Sequence, residues 1–179
     1  MRILIVALVL AFQTSLAAAD IALRADRMAP GSMMIMQDSQ GLVTHVKRGV
    51  EAGQHVFDTF AGKGASAVYI GSYTTNDRGD VTAMIASDGA VTRFAPHRCN
   101  RTPGRCDFTI THVDGFKEPR TRVTEATANG LRYQEYGLNG LVAEGALDLD
   151  GNGLARKGWK KEKSDSRKTR TKRVLIALK

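Results

Sequence analysis

The only two cysteines of the chain, Cys99 and Cys106, stand seven positions apart in the stretch APHRCNRTPGRCDF, with His97 two residues ahead of the first. Three chemistries suit such a set: a zinc site, a thiol nucleophile in basic surroundings, or a disulfide. Zinc would enlist His97 or His112, but the cysteines are spaced wider than the about two to four intervening residues common in structural zinc sites. Pro103-Gly104 inside the loop supplies a turn that can bring the two ends within bonding range. A disulfide between Cys99 and Cys106 is therefore expected wherever the surroundings are oxidising.

The first twenty residues, MRILIVALVLAFQTSLAAAD, supply that setting. Arg2 precedes an apolar run from Ile3 to Phe12, and Ala17-Ala18-Ala19 forms a small-residue site suited to cleavage before Asp20. Residues 1–19 read as a cleavable signal peptide, the run being too short to span a bilayer. Nothing later reaches the length of a membrane helix. The expected product is a periplasmic or secreted chain, 20–179, forming one β-rich domain.

A second group of residues offers charge. The body from Asp20 to Ala155 carries 14 basic and 16 acidic residues, whereas Arg156 to Lys179 carries 11 basic and two acidic. The high pI, about 9.8, thus belongs to the C-terminal segment. Lys157, Lys160, Lys161, Lys163, Arg167, Lys168, Arg170, Lys172 and Arg173 are candidate anion-binding residues on a basic hairpin, 156–173. They suit an anionic envelope polymer or a lipid surface, or else a solvated hairpin that lysines keep from edge-to-edge pairing. Trp159 is the only aromatic residue there, so the stacking platform of a single-strand nucleic-acid binder is missing and nucleic acid is not the expected partner.

Two further constellations invite metals. Asp148, Asp150 and Asn152 in DLDGNG mimic the start of an EF-hand loop, making calcium the one cofactor to consider. Position twelve of that loop is Trp159 instead of glutamate, and Arg156 and Lys157 would crowd an ion; a β-turn built for backbone reasons is the preferred reading. Met33, Met34 and Met36 suggest Cu(I), but Met34 and Met36 share one strand face, and core packing explains them. The histidines His45, His55, His97 and His112 fall on separate elements, and the chain has no H-E-x-x-H, G-x-S-x-G or Walker sequence.

The elements that must position these residues are strands. Asn76-Asp77-Arg78-Gly79, Asp88-Gly89, Asp114-Gly115, Asn129-Gly130, Asn139-Gly140 and Asp150-Gly151 are hairpin signals. Between them lie stretches of strand length, such as SAVYIGSYT, with Val68 and Ile70 on one face and Tyr69 and Tyr73 on the other, and DFTITHV. Val50 to Ala61 reads as a short amphipathic helix weakened by Gly53, and 174–178 as a final apolar strand. The fold class is all-β: an antiparallel meander of roughly eight to ten strands, barrel-like or a sandwich, with little helix. The expected function is an exported non-enzymatic domain of the bacterial cell envelope that binds an anionic envelope component or small ligand. Its alternative is a small periplasmic hydrolase assembled from dispersed His and Asp/Glu residues, with no catalytic residue assigned.

Overall fold

All six turn signals lie in connections between consecutive antiparallel strands. At the Asn139-Gly140 turn the chain reverses over Leu138 and Asn139, and Gly140 takes φ +97°, the left-handed conformation that lets the next strand start without a side-chain clash. In the computed structural model, which describes residues 24–38, 41–62, 64–99, 103–163 and 170–178, twelve strands follow one another. They are β1 (Met33–Asp38), β2 (Gly41–Glu51), β3 (Gln54–Ala61), β4 (Val68–Thr75), β5 (Val81–Ala86), β6 (Val91–Phe94), β7 (Gly104–Thr111), β8 (Lys117–Thr127), β9 (Gly130–Gly137), β10 (Gly140–Leu149), β11 (Ala155–Lys163) and β12 (Arg170–Leu178). Each pairs with its sequence neighbours, and β1 pairs with β12, which closes the sheet into a barrel.

The all-β meander with little helix is thus present, with more strands than the expected eight to ten. Part of the excess is the segment expected to be helical: 50–61 is the turn and second arm of the β2–β3 hairpin. Ala52 (φ +47°) and Gly53 (φ +75°) form its two-residue loop, the double positive φ of a type I′ turn. His55, Phe57 and Thr59 then alternate against Val56, Asp58 and Phe60, and this period of two overrides the helix-like spacing of Val50, Phe57 and Phe60. The faces assigned within SAVYIGSYT also change. Phe60 pairs with Tyr69 but Thr59 pairs with Gly71, so Ile70 is an extra residue; the bulge leaves Tyr69 packed edge-on against Phe60 while Tyr73 turns into the barrel against Phe57.

Because strands alternate in direction, the N-terminal segment and the β2–β3, β4–β5, β6–β7, β8–β9 and β10–β11 connections share one end of the barrel. A 3-10 turn, Ala25–Arg27, crosses that end. Ala25 and Met28 are buried against Phe57, with Met34, Tyr73 and Leu154 packed around them. Lys47 reaches up from inside to donate to Ala25 O (2.7 Å) and Met28 O (2.5 Å), and Arg24 N donates to Gly153 O at 2.9 Å. The barrel is capped there. Its other end, the mouth, carries the β1–β2, β3–β4, β5–β6, β7–β8, β9–β10 and β11–β12 connections.

Charges stand on the outer wall: Arg48 pairs with Asp58 (2.5 Å), Arg105 with Asp107 (3.2 Å) and Lys161 with Glu144 (3.3 Å). A lipid-facing barrel instead needs a continuous apolar belt. No helix among the described residues is long and apolar enough to cross a membrane. The expected signal peptide, 1–19, lies outside the described residues.

Candidate functional site

Inward-facing residues divide the barrel interior into an apolar floor and a charged collar. The floor lies on the capped side. Leu131, Tyr133 and Leu147 form one cluster, and Phe57 with Met34 and Tyr73 another. Two glycines make room for it: a Cβ at Gly158 would come 2.5 Å from Leu147 Cδ2, and one at Gly145 would come 2.7 Å from the Tyr133 ring. Tyr73 stacks on Phe57 with 5.0 Å between centroids, and His45 meets its edge at 5.3 Å. Burial pushes the Tyr73 hydroxyl well above the ordinary tyrosine value, and that of Tyr133 upward too.

The collar lies toward the mouth on β8, β9 and β11. Arg120 Nε is 2.8 Å from Glu118 Oε1, Lys160 Nζ is 2.5 Å from Glu162 Oε1, and Arg122 Nη1 is 3.7 Å from Glu135 Oε1. The Arg122 guanidinium also lies 3.9 Å over the Tyr133 ring, yet its buried Nε has no hydrogen-bond partner among the protein atoms. Burial works against the Lys160 ammonium, but Tyr133, Glu162 and Glu135 outweigh it and hold the group above the ordinary lysine value. Burial likewise opposes the Glu118 carboxylate, and hydrogen bonds from Arg120 and His112 overcome it, leaving its pKa lowered.

Floor and collar enclose a cavity of about 290 Å³. Met36, His45, Tyr73, Leu147, Arg122 and Lys160 are among its walls, and Met84, which is 53% exposed, stands at its rim. An apolar hollow with a few converging polar groups is the usual form of a small-molecule site, and this one sits at the low end of the roughly 300–1,000 Å³ range of such sites. A wider external groove of about 480 Å³ lies on the outer wall near the capped end, between Arg132, Asp148, Lys157 and Trp159.

The residues singled out in the sequence are dispersed by this geometry. Cys99 and Cys106 are joined by a disulfide across a Cα–Cα distance of 5.3 Å. Cys99 is buried, and its carbonyl accepts from the Thr124 hydroxyl at 3.3 Å. His97 Nδ1 is 3.3 Å from the buried Asp80 carboxylate, and its ring packs on Phe108 at 4.7 Å. A ligand atom of His97 and the two sulfurs lie within 4.8 Å of one another, but the sulfurs are bonded to each other, whereas zinc takes thiolates. Asp150 spends one oxygen on Asn152 N (2.8 Å) and Leu154 N (2.9 Å), the backbone use expected of an Asx turn. Asp148 stands opposite Lys157 on the β10–β11 pair. His55 pairs with Asp77 at 2.9 Å, His112 with Glu118 at 2.9 Å and His45 with Thr59 at 3.0 Å; His45 lines the cavity, whereas His55 stands at the capped end and His112 in the β7–β8 turn.

The basic hairpin exists as β11 and β12, paired from Gly158↔Leu175 to Lys163↔Arg170. Its charges are not one face. Lys160 is turned into the barrel opposite Gly145, a correction to its placement among surface cations. Lys161 points outward beside Trp159, with Nζ 5.1 Å from the ring, and Lys157 and Lys163 are exposed. Arg167 and Lys168 lie outside the described residues, as do the side chains of Arg170, Lys172 and Arg173. The collar itself went unread in the sequence, although RTRVTEATANGLRYQEYG carries the signal: Arg120, Arg122 and Thr124 alternate on β8, and Leu131, Tyr133 and Glu135 answer them on β9.

Comparison with protein-family models, with curated proteins and with solved structures finds no match for this chain.

Proposed function

We propose that the chain is an exported, non-enzymatic binding domain of the cell envelope that takes a small amphiphile into the barrel. An apolar body would lie against Phe57, Met36 and Leu147, and an oxygen-bearing head group would meet Arg122 and Lys160. The observation that carries this reading is the buried Arg122 Nε beside the cavity. Its N–H has no protein acceptor, an unsatisfied group costs about 1–3 kcal/mol, and a carboxylate, sulfonate or phosphate oxygen would satisfy it. The hydrolase alternative would draw on the His55–Asp77, His97–Asp80 and His112–Glu118 pairs, which stand apart from one another and outside the cavity lining.

The test is binding of the fluorescent sulfonate 1-anilinonaphthalene-8-sulfonate to the folded protein, and its displacement by decanoate and by decanol. Decanoate should displace the dye more effectively than decanol, and Arg122→Gln should narrow that difference by roughly tenfold, the order expected for a lost charged hydrogen bond. Met36→Trp, which fills the cavity, should abolish dye binding while thermal unfolding stays cooperative. Dye binding that Met36→Trp leaves intact would overturn the reading.

A further inference from the structure

We infer that the mouth of the barrel is a docking surface for an anionic phospholipid bilayer. Among the described residues, most of the large apolar side chains left exposed stand at one end of the barrel. Val68, Tyr69 and Ile70 at the start of β4, Val113 and Phe116 in the β7–β8 turn, and Leu138 in the β9–β10 turn are all exposed, by between 41% and 65%. All six stand at the mouth; Met84 is at the cavity rim, and Val50 is near the capped end. Single exposed apolar residues are ordinary, but a set gathered on one end marks a contact surface.

The occupant follows from what adjoins them. The β11–β12 hairpin reaches the same end, β11 finishing at Lys163 and β12 beginning at Arg170. From Lys161 to Arg173, leaving aside the inward-facing Lys160, the sequence holds seven basic residues and two acidic ones. In the ring order of strands this hairpin is the neighbour of the β9–β10 turn that carries Leu138. The acidic turn residues Asp88 and Asp114 each spend an oxygen on a backbone N–H, of Ala90 and Phe116, at 3.0 Å. Apolar side chains on several turns of one end, with the exposed Lys163 closing the neighbouring strand and a strongly basic sequence following it, match an interface that is apolar inside and anionic at its surface. A protein partner would be expected to meet a continuous well-packed patch instead.

This inference does not rest on the cavity reading, since it uses residues outside the barrel lumen. The experiment is flotation of the purified protein with phosphatidylcholine vesicles prepared with and without phosphatidylglycerol. The protein should float with the phosphatidylglycerol vesicles and stay behind with phosphatidylcholine alone. Phe116→Ser combined with Leu138→Ser should weaken that binding at least tenfold, and Lys163→Ser by about fivefold, both with unchanged thermal unfolding. Val50→Ser, at the opposite end, should float like the parent. No flotation with either vesicle, or a Phe116/Leu138 variant that floats like the parent while folded, would overturn the inference. Met36→Trp separates the two proposals: it should lose the dye and keep the vesicles.

Discussion

Tyr133 lies directly over Gly145, so that a methyl group at position 145 would meet Cε1, Cζ and Oη of the ring at 2.7 Å. The tyrosine is wedged between the bare backbone of Gly145 on the neighbouring strand and the Arg122 guanidinium on its other side. Gly145→Ala should therefore cost about 1–3 kcal/mol, the range for overpacking a filled interior. The same substitution in a Tyr133→Leu background should cost less, because a branched aliphatic side chain can yield where a ring cannot. Urea unfolding of the four proteins in that cycle measures the difference; equal costs in both backgrounds would show that the contact is not what resists the methyl group.

The disulfide closes a loop of eight residues that ends at the start of β7. Chain-entropy reasoning gives such a loop about 2.5 kcal/mol, so replacing Cys99 and Cys106 together by serine should lower stability by about that amount. Cys99 is 1% exposed, and besides the disulfide, among the described residues, only the Thr124 hydroxyl donating to its carbonyl is seen to hold it, so the β6–β7 connection should loosen locally before the barrel opens. Hydrogen exchange across 95–99 would report the loosening. Thiol titration of the native protein should find no free sulfhydryl before reduction.

Glu118 should make the protein acid-sensitive in a defined direction. Its folded-state pKa is lowered, burial being outweighed by Arg120 and His112, so its contribution to stability is complete above the ordinary glutamate value of about 4.3. It is lost as the pH falls below that value and through the depressed folded one. Glu118→Gln should flatten this acid limb while changing stability near neutrality through the lost pairs with Arg120 and His112. Thermal unfolding from neutral pH downward, with and without the substitution, would show curves that converge at the acid end.

Lys47 fastens the cap. It is 3% exposed, desolvation holds its pKa below the ordinary lysine value, and both its hydrogen bonds go to carbonyls of the N-terminal segment. Lys47→Met keeps the length and removes the donors, leaving Ala25 O and Met28 O without them. A loss of about 2–3 kcal/mol is expected, in the range for hydrogen bonds from a charged group. Trypsin should then cleave after Arg27 faster than at the strand arginines, whose backbone is held in the ladder. Cleavage at an unchanged rate would mean that Met28 packing, not the lysine, holds the segment down.

How far the sequence could be read depended on whether a residue's role is local. Turn chemistry is local, so the Asn-Gly and Asp-Gly pairs located the hairpins, and the Cys99–Cys106 spacing pointed to its own partner. The β2–β3 hairpin was hidden because Ala52 occupies a left-handed position that its residue type does not advertise, while Val50, Phe57 and Phe60 imitate a helical stripe. Bulges such as the one at Ile70 shift facing by one residue, and no alternation rule foresees them. The collar and cavity are properties of closure: Arg122, Tyr133, Gly145 and Lys160 are neighbours across four strands, and only the rolled sheet makes them one site. Lys160 shows the limit, because its sequence neighbours argue for surface charge and its strand position puts it inside.

The pairing of β1 with β12, from Met34↔Leu178 to Gln37↔Val174, is the one ladder in the sheet that joins strands far apart along the chain. Every other ladder can zip between segments already adjacent along the chain, so this junction pays the largest loop-closure entropy and should form last. Until it does, the nascent sheet exposes two raw margins that could recruit another molecule. A chain shortened before Arg170 would keep those margins permanently and should assemble into aggregates instead of closing its ring. Because Met34 and Leu178 are register partners, a rearranged gene that links β12 directly to the segment leading into β1 and opens the chain at a mouth turn should still yield the same barrel.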